Sequence, residues 1–448
     1  MGAFKAYDIR GMWNRDLNVD LVYRIGRHLP ELLDAKRVLV GRDARLSSPE
    51  ARDALVRGLT DSGCDVDDIG LATTPMVYHF TADGDYDASV QITASHNPPS
   101  HNGLKISRRG SLPVGYHSGL DELERRVLSG NLPPLASEAG VCQESEKVAN
   151  FVAFLRRWQP DLNGLRFGID CSNGMAALFA HDLFGSNALY INDTLDGTFP
   201  GHPPNPLEVA NCAQLIELVK KERLAGGVIF DGDADRVMFI DERGEFIQPD
   251  LLIPLIAAPF LRSEPGAKVI HDIRTSRGAI EALRAAGAEP VIGRVGHAFA
   301  KVLLRESGAV CGGELAGHYY FRDFHCCDSG ELAALIMLGE LATAHRDGKT
   351  FSDLTAPLRR YATSGEVNYH IEKKDEAMTA VAALSRASET PLAEYDFDGI
   401  RLEFKEWWFN IRPSNTEPYL RLVVEASTPE ILTSWRSRIE ATLTSFMS

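Results

Sequence analysis

Short apolar runs ending in an acidic residue alternate with amphipathic stretches along most of the chain. RVLVGRD, residues 37–43, reads as a strand and turn, after which Ser48-Pro49-Glu50 opens a helix with a capping hydroxyl and a proline where no N–H is needed. RFGIDCSNG, residues 166–174, repeats the pattern, with a helix expected from Met175. KVIHDIRTS, residues 268–276, repeats it again, with a helix expected from about Ser276. Three such units at unequal spacing predict three related α/β domains whose parallel or mixed sheets are covered by helices. From about residue 361 the pattern changes. Strands at Leu402 to Phe404, FNIR and LRLVVEAS crowd together before a helix from Pro429 to about Phe446, as in an α+β domain with an antiparallel sheet. Pro/Gly/Ser-rich or charged breaks divide the chain into 1–140, 141–243, 244–360 and 361–448.

Composition narrows the class. With 448 residues, 44% hydrophobic and 24% charged, the chain sits at the globular average, so neither disorder nor a coiled-coil rod is expected. The net charge of −15 argues against nucleic acid or an anionic membrane as partner, because both are gripped by surplus Lys and Arg. The run Leu251 to Leu261 carries two prolines and is far short of the roughly 20 residues that span a bilayer. The opening MGAFKAYDIRG has no apolar leader core, and the seven cysteines form no CxxC pair. A soluble protein of the cytoplasm is expected.

Four segments carry candidate chemistry. In QITASHNPPSHNGLKISRRG, residues 91–110, a strand from Ala88 to Ile92 delivers Ser95 into a loop with Lys105, Arg108, Arg109, two histidines and no acid. Such surroundings suit a hydroxyl that carries a phosphoryl group, although an Asn/Pro/Ser turn in water has the same composition. In GGVIFDGDADRVMFID, residues 226–241, Asp231, Asp233 and Asp235 alternate in a turn between two strands. Three clustered carboxylates repel one another unless a cation neutralises them, and oxygen ligands suit Mg²⁺ or Ca²⁺. An EF-hand fails because Arg236 stands where the loop needs glycine and the flanks are strands. Asp231 at the end of a strand also resembles the nucleophile of haloacid-dehalogenase-type phosphotransferases. CGGELAGHYYFRD, residues 311–323, sets Glu314 and His318 among glycines, a pair able to hold sugar hydroxyls. FNIRPSNTEPYLR, residues 409–421, offers Arg412, Ser414, Asn415 and Thr416 between two strands, as a phosphate cradle or a plain hairpin turn.

In order and content the four segments resemble the α-D-phosphohexomutase superfamily, closest to its bacterial phosphomannomutase/phosphoglucomutase branch, from KAYDIRG at Lys5 to RPSNTEP at Arg412. The resemblance implies three mixed α/β domains of related topology and a C-terminal α+β domain around a central active-site cleft. It implies that Ser95 of TASHNP is a phosphoserine and that Asp231, Asp233 and Asp235 of DGDADR hold Mg²⁺ together with a phosphoserine oxygen. Arg236 would lie beside the phosphoryl group, Glu314 and His318 would hold the sugar, and Arg412, Ser414, Asn415 and Thr416 would hold the phosphate that stays in place. Tyr7, Arg10, Lys105 and His297 match positions lining the cleft, and His96, Lys105 and His318 remain open as acid and base. The implied activity interconverts hexose 1-phosphate and hexose 6-phosphate, of mannose or glucose, through a hexose 1,6-bisphosphate. Glucosamine phosphate is the alternative sugar. A dehalogenase-type transfer through Asp231 and a non-catalytic phosphosugar-binding protein are the remaining readings. The family's usual serine in the sugar loop is Ala316 here, which removes one possible sugar contact.

Overall fold

A computed structural model describes residues 2–414 and 419–447, which form four sheets. Three of them repeat one arrangement. In the first, strand Arg37–Arg42 lies between Asp65–Leu71 and Ala88–Ile92, all parallel, and His101–Arg108 returns antiparallel beside Ala88–Ile92. In the second, Phe167–Asp170 lies between Ala188–Ile191 and Gly226–Phe230, and Val237–Asp241 returns antiparallel. In the third, Lys268–Asp272 lies between Glu289–Gly293 and Cys311–Gly313, and Tyr319–Phe321 returns antiparallel. The parallel pairs need long crossovers, and the helical segments supply them. The antiparallel return needs only a short connection, so each unit ends its parallel run in a hairpin loop: 93–100, 231–236 and 314–318.

Two of these sheets extend beyond the boundaries read from composition. Strand Cys142–Glu144 pairs with Asp65–Leu71, so the first sheet continues past residue 140. Strand Phe246–Ile247 pairs with Val237–Asp241, so the second continues past residue 243. Composition marks the turn before each edge strand but not the distant strand it returns to. The helix expected from Met175 begins as a 3-10 turn, Met175–Leu178, ahead of a short helix Ala180–Phe184. There the Met175 N–H is drawn to Gly232 O at 3.0 Å, across to the neighbouring hairpin. The apolar run at 251–261 lies mostly in helix Ile253–Ser263, with Pro254 in its first turn. Among the described residues, no helix is long and apolar enough to cross a membrane.

The fourth sheet is wholly antiparallel, in the order Ala362–His370, Tyr419–Ala426, Trp407–Pro413, Ile400–Glu403 and Ala393–Tyr395. Helices Lys374–Ser388 and Pro429–Thr444 cover it, packing Val381, Ala382, Ile439 and Leu443 onto Leu402, Trp407, Phe409 and Leu422. One apolar cluster runs through the first three units, from Leu39 and Met76 through Phe151 and Phe230 to Ile253 and Leu335. The fourth has a core of its own and meets the third through Leu315, Trp408 and Val423 and through a set of arginines.

Candidate active site

Each hairpin loop is tied down from the turn after the central strand of its unit. In all three turns an aspartate side chain accepts the N–H two residues on: Asp43 from Arg45 at 3.0 Å, Asp170 from Ser172 at 2.8 Å and Asp272 from Arg274 at 2.6 Å. The turn then reaches its hairpin. Arg45 donates to Ser95 O at 2.7 Å, the Ser172 hydroxyl to Phe230 O at 2.5 Å, and Asp272 Oδ2 accepts the Leu315 N–H at 2.9 Å. The three loops therefore share one support, built from the strand-acid-loop pattern of the sequence.

The first two loops meet at Ser95, which is 1% exposed and held at φ +50°. Its hydroxyl donates to Asp231 Oδ2 at 2.9 Å. With that proton committed, Ser95 Oγ accepts from His96 Nδ1 at 3.2 Å, which leaves His96 Nε2 as the basic nitrogen. Burial, together with the charges of Arg236, Arg10 and Lys105, pushes the His96 imidazole far below its ordinary range, so it is neutral. Gly232 lies against the serine loop so closely that a Cβ would stand 2.6 Å from Ser95 O.

Asp231, Asp233 and Asp235 are fully buried, and one carboxylate oxygen from each falls within 4.8 Å of the others. Lys105 Nζ donates to Asp233 Oδ2 at 2.7 Å and to Asp235 Oδ2. Thr74 Oγ1 also donates to Asp233 Oδ2, at 2.5 Å. The second oxygens, Asp233 Oδ1 and Asp235 Oδ1, are buried without a hydrogen-bond partner among the described residues. Burial and the negative neighbours Asp233 and Asp235 push the Asp231 carboxyl well up. Three carboxylates, two of them with a buried oxygen left open while Lys105 holds the other, make an oxygen donor set that fits a hard divalent cation.

The second and third loops are stitched by a backbone bridge between Arg236 and His318. Arg236 Nε donates to His318 Nε2 at 3.0 Å, and its guanidinium lies 3.9 Å from Asp231 Oδ2. The other His318 nitrogen donates to Asp328 Oδ2 at 2.7 Å. Lys301, fully buried, pairs with Asp328 Oδ1 at 2.8 Å and sits 3.4 Å over the Tyr78 ring. Burial alone would raise the Asp328 carboxyl, but Lys301 and His318 hold it far below the usual range. Glu314 Oε1 accepts the Gly296 N–H at 2.7 Å, and burial raises its carboxyl. His297 stacks edge-on with Tyr7 at 5.7 Å, and its Nδ1 has no partner among the described residues. Tyr7 in turn donates to Val295 O at 2.8 Å.

The remaining predicted residues fall on two sides. Arg10 donates to Asn97 Oδ1 at 3.0 Å and Asp8 Oδ2 at 2.5 Å, which places it on the serine loop. Arg412 Nε donates to Asp398 Oδ1 at 2.9 Å, while Asp398 Oδ2 accepts the Val295 N–H at 2.7 Å. That pairing brings the fourth unit to the Tyr7–His297 side of the site. Ser414 N donates to Tyr419 O at 2.8 Å at the base of its hairpin, and Asn415 and Thr416 lie outside the described residues. Sequence reading missed Arg45, Asp328, Lys301 and Asp398. Only Arg45 left a signal, the Asp-x-Arg of GRDAR that returns as Asp-x-Arg in HDIR.

Comparison with known proteins agrees with this arrangement. The families described as Phosphoglucomutase/phosphomannomutase, alpha/beta/alpha domains I, II and III, match residues 1–130, 146–244 and 248–361, and the C-terminal domain family matches residues 366–442. The chain is 36% identical to a phosphomannomutase of Escherichia coli over 98% of each chain. It is 38% identical to a protein of Xanthomonas campestris named phosphohexose mutases, over 94% of each chain. A crystal structure of a phosphoglucomutase/phosphomannomutase family protein from Burkholderia thailandensis superposes with a TM-score of 0.89 at 29% identity, covering 99% of this chain and 97% of that one. With four domain families in order, relatives above 30% identity along nearly the whole length and the loops converged on one site, the chain belongs to the phosphoglucomutase/phosphomannomutase family of enzymes, within the α-D-phosphohexomutase superfamily.

Proposed function

We propose that the protein interconverts the 1-phosphate and 6-phosphate of a hexose, mannose or glucose, with Ser95 as phosphoryl carrier and a hexose 1,6-bisphosphate as intermediate. The observation that carries this reading is the Ser95 hydroxyl, 2.9 Å from the first of three buried aspartates and beside His96, on which the charges of Arg236, Arg10 and Lys105 act. The names of the relatives favour mannose and glucose over glucosamine.

In the forward half-reaction the Oγ–P bond of phosphorylated Ser95 breaks as a hexose hydroxyl oxygen bonds to the same phosphorus. The hydroxyl proton passes to a base, for which the neutral His96 Nε2 is the nearby acceptor, since both His318 nitrogens are already engaged by Arg236 and Asp328. In the second half-reaction the sugar O–P bond at the other end breaks as Ser95 Oγ bonds to that phosphorus, and the proton held by the base returns to the sugar oxygen that leaves. Asp231, Asp233 and Asp235 would hold Mg²⁺, whose charge offsets that of the transferring oxygens and of the serine leaving oxygen. Lys105 and Arg236 add fixed positive charge on the same side, with no reorganisation at the moment of transfer. Glu314 and His318 hold sugar hydroxyls, and Arg412 with Ser414 receives the phosphate at rest, a guanidinium and a hydroxyl suiting its oxygens.

Ser95→Ala tests the reading. It abolishes interconversion of mannose 1-phosphate and mannose 6-phosphate in Mg²⁺ with a trace of hexose bisphosphate, and the circular dichroism spectrum stays unchanged. Turnover above about one hundredth of the wild-type rate overturns the assignment of Ser95 as carrier. Hydroxylamine supplies an independent arm: a phosphoserine survives it, whereas an acyl phosphate on Asp231 is cleaved.

A further inference from the structure

Arg45 takes no part in the chemistry above, yet it is among the most completely bonded side chains near the site. It lies in the turn after strand Arg37–Arg42 and is 1% exposed. A guanidinium has five N–H donors in a fixed plane. Here Nε donates to Asp43 Oδ2 at 3.0 Å. Nη1 donates to Pro98 O at 2.6 Å and His101 O at 3.2 Å. Nη2 donates to Ser95 O at 2.7 Å and Asn97 O at 2.7 Å. Every donor has its acceptor, and four of the five acceptors are main-chain carbonyls between residues 95 and 101.

A polar loop normally turns such carbonyls to water or to its own N–H groups. Here four of them converge on one cation. The serine loop makes two backbone bonds of its own, Asn97 N–H to Ala94 O and His101 N–H to Pro98 O, both at 3.0 Å, and is otherwise wrapped around Arg45. The wrapping has a local cost at Ser95, whose φ of +50° lies in a region that side-chain-bearing residues visit rarely. The bond from Arg45 to Ser95 O holds the residue there, with its hydroxyl turned to Asp231. The other face of the guanidinium is closed by the second unit, where the Phe199 ring lies 5.0 Å away. The backing is tight: a Cβ on Gly197 would stand 2.1 Å from Ala44 O and 2.6 Å from Arg45 Cα.

We propose that Arg45 is a positioning residue that templates the serine loop and so sets the direction of the Ser95 side chain for phosphoryl transfer, with residues 197–199 of the second unit as its backing. The inference rests on the reading of Ser95 as carrier. A lysine cannot replace the arginine, because three donors on a tetrahedral ammonium cannot reach four carbonyls spread over a planar fork.

The test uses the full-length protein in Mg²⁺ with mannose 1-phosphate and a hexose 1,6-bisphosphate, comparing the wild type with Arg45→Lys, Arg45→Ala and Ser95→Ala. Misaim of the carrier by about 1 Å lowers kcat in Arg45→Lys on the order of 100-fold. KM stays within about threefold, since sugar-binding groups are untouched. Added methylguanidinium, which fits the space left by the side chain, raises turnover of Arg45→Ala by about tenfold or more and does nothing for Ser95→Ala. A folded Arg45→Lys with kcat within about threefold of wild type overturns the proposal, as does loss of folded protein in both Arg45 variants, which would make the residue one of stability alone. If Ser95→Ala keeps wild-type turnover, the carrier reading falls and the proposal falls with it. If Ser95→Ala is silent while Arg45→Lys is fully active, the positioning role alone falls.

Discussion

Adding one methyl group at Gly232 presses first on the contact between the serine loop and the aspartate loop, with Pro204 Cβ at an ordinary 3.4 Å. Gly232 is absent from the positive-φ residues, so alanine brings no backbone penalty there. Its Cβ would stand 2.6 Å from Ser95 O, about 0.8 Å inside the range of ordinary contact. Neither side can yield freely. Gly232 O is tethered by the Met175 N–H at 3.0 Å, and Ser95 O by Arg45 Nη2 at 2.7 Å. Overpacking of this kind costs about 1–3 kcal/mol of stability. A carrier displaced by nearly 1 Å loses on the order of 100-fold in kcat. Gly164→Ala is the control. Its φ is +82° with no atom within 4 Å, so it strains the backbone by about 1–2 kcal/mol far from the site. Denaturant melts and steady-state turnover of both variants check the expectation: comparable losses of stability, but loss of kcat in Gly232→Ala alone. Wild-type kcat in a folded Gly232→Ala, or an equal fall in both variants, refutes it.

Two further outcomes concern buried charge. Asp328→Asn removes the negative charge opposite the fully buried Lys301 and turns one of the two oxygens shared by Lys301 and His318 into a donor, at a cost of about 3–5 kcal/mol. Adding Lys301→Met recovers part of that stability but not the turnover, as a double-mutant cycle of melts and rates will measure. His79 is buried among Phe80, Phe151 and Phe154, and its Nδ1 lies 3.1 Å from His325 Nε2. Burial and the His325 charge lower its pKa to about 4. The unfolded chain therefore takes up this proton near pH 6.5 and the folded protein only near pH 4. The stability contributed by neutral His79 is present above pH 6.5 and is lost as pH falls towards 4, by roughly 3 kcal/mol in all. Unfolding free energies measured between those pH values fall less steeply in His79→Phe, and an unchanged slope contradicts the assignment.

Much of the site was legible because its residues sit on short hairpins whose strands announce themselves. Strand Ala88–Ile92 and the strands around DGDADR are apolar runs stopped by polar turns, and the turn residues are the chemistry. The repeat was legible as strand, acid, Ser-bearing loop and helix, but its meaning was not. Asp43, Asp170 and Asp272 each cap their own turn, a local bond, whereas the reach to the hairpin spans about 40 to 60 residues and leaves no periodic trace. Lys301 and Asp328 were hidden for a similar reason, since each looks like a surface charge until the fold closes over both. Strand Ala362–His370, half exposed and broken by a bulge between Thr363 and Glu366, carries too few apolar residues to show alternation.

The first unit has a buried cluster of its own, yet Leu39, Met76, Val77 and Tyr78 also tie it into the apolar core of the second and third units, which the fourth does not enter. Three sides of the site belong to one cooperative block, because loosening any of those units exposes side chains of the other two. The fourth side is a separate unit joined by a seam. It is fastened chiefly by Arg401 to Ile273 O and Thr275 O, Arg277 to Phe404 O, Arg274 to Glu366, and Arg412 through Asp398. Apart from the small Leu315–Trp408–Val423 contact, the seam beside Arg412 is made of charged bonds. A guanidinium that trades a carboxylate for a phosphate oxygen keeps its charge paired, so an anion bound there competes with the seam and not with the block that holds Ser95.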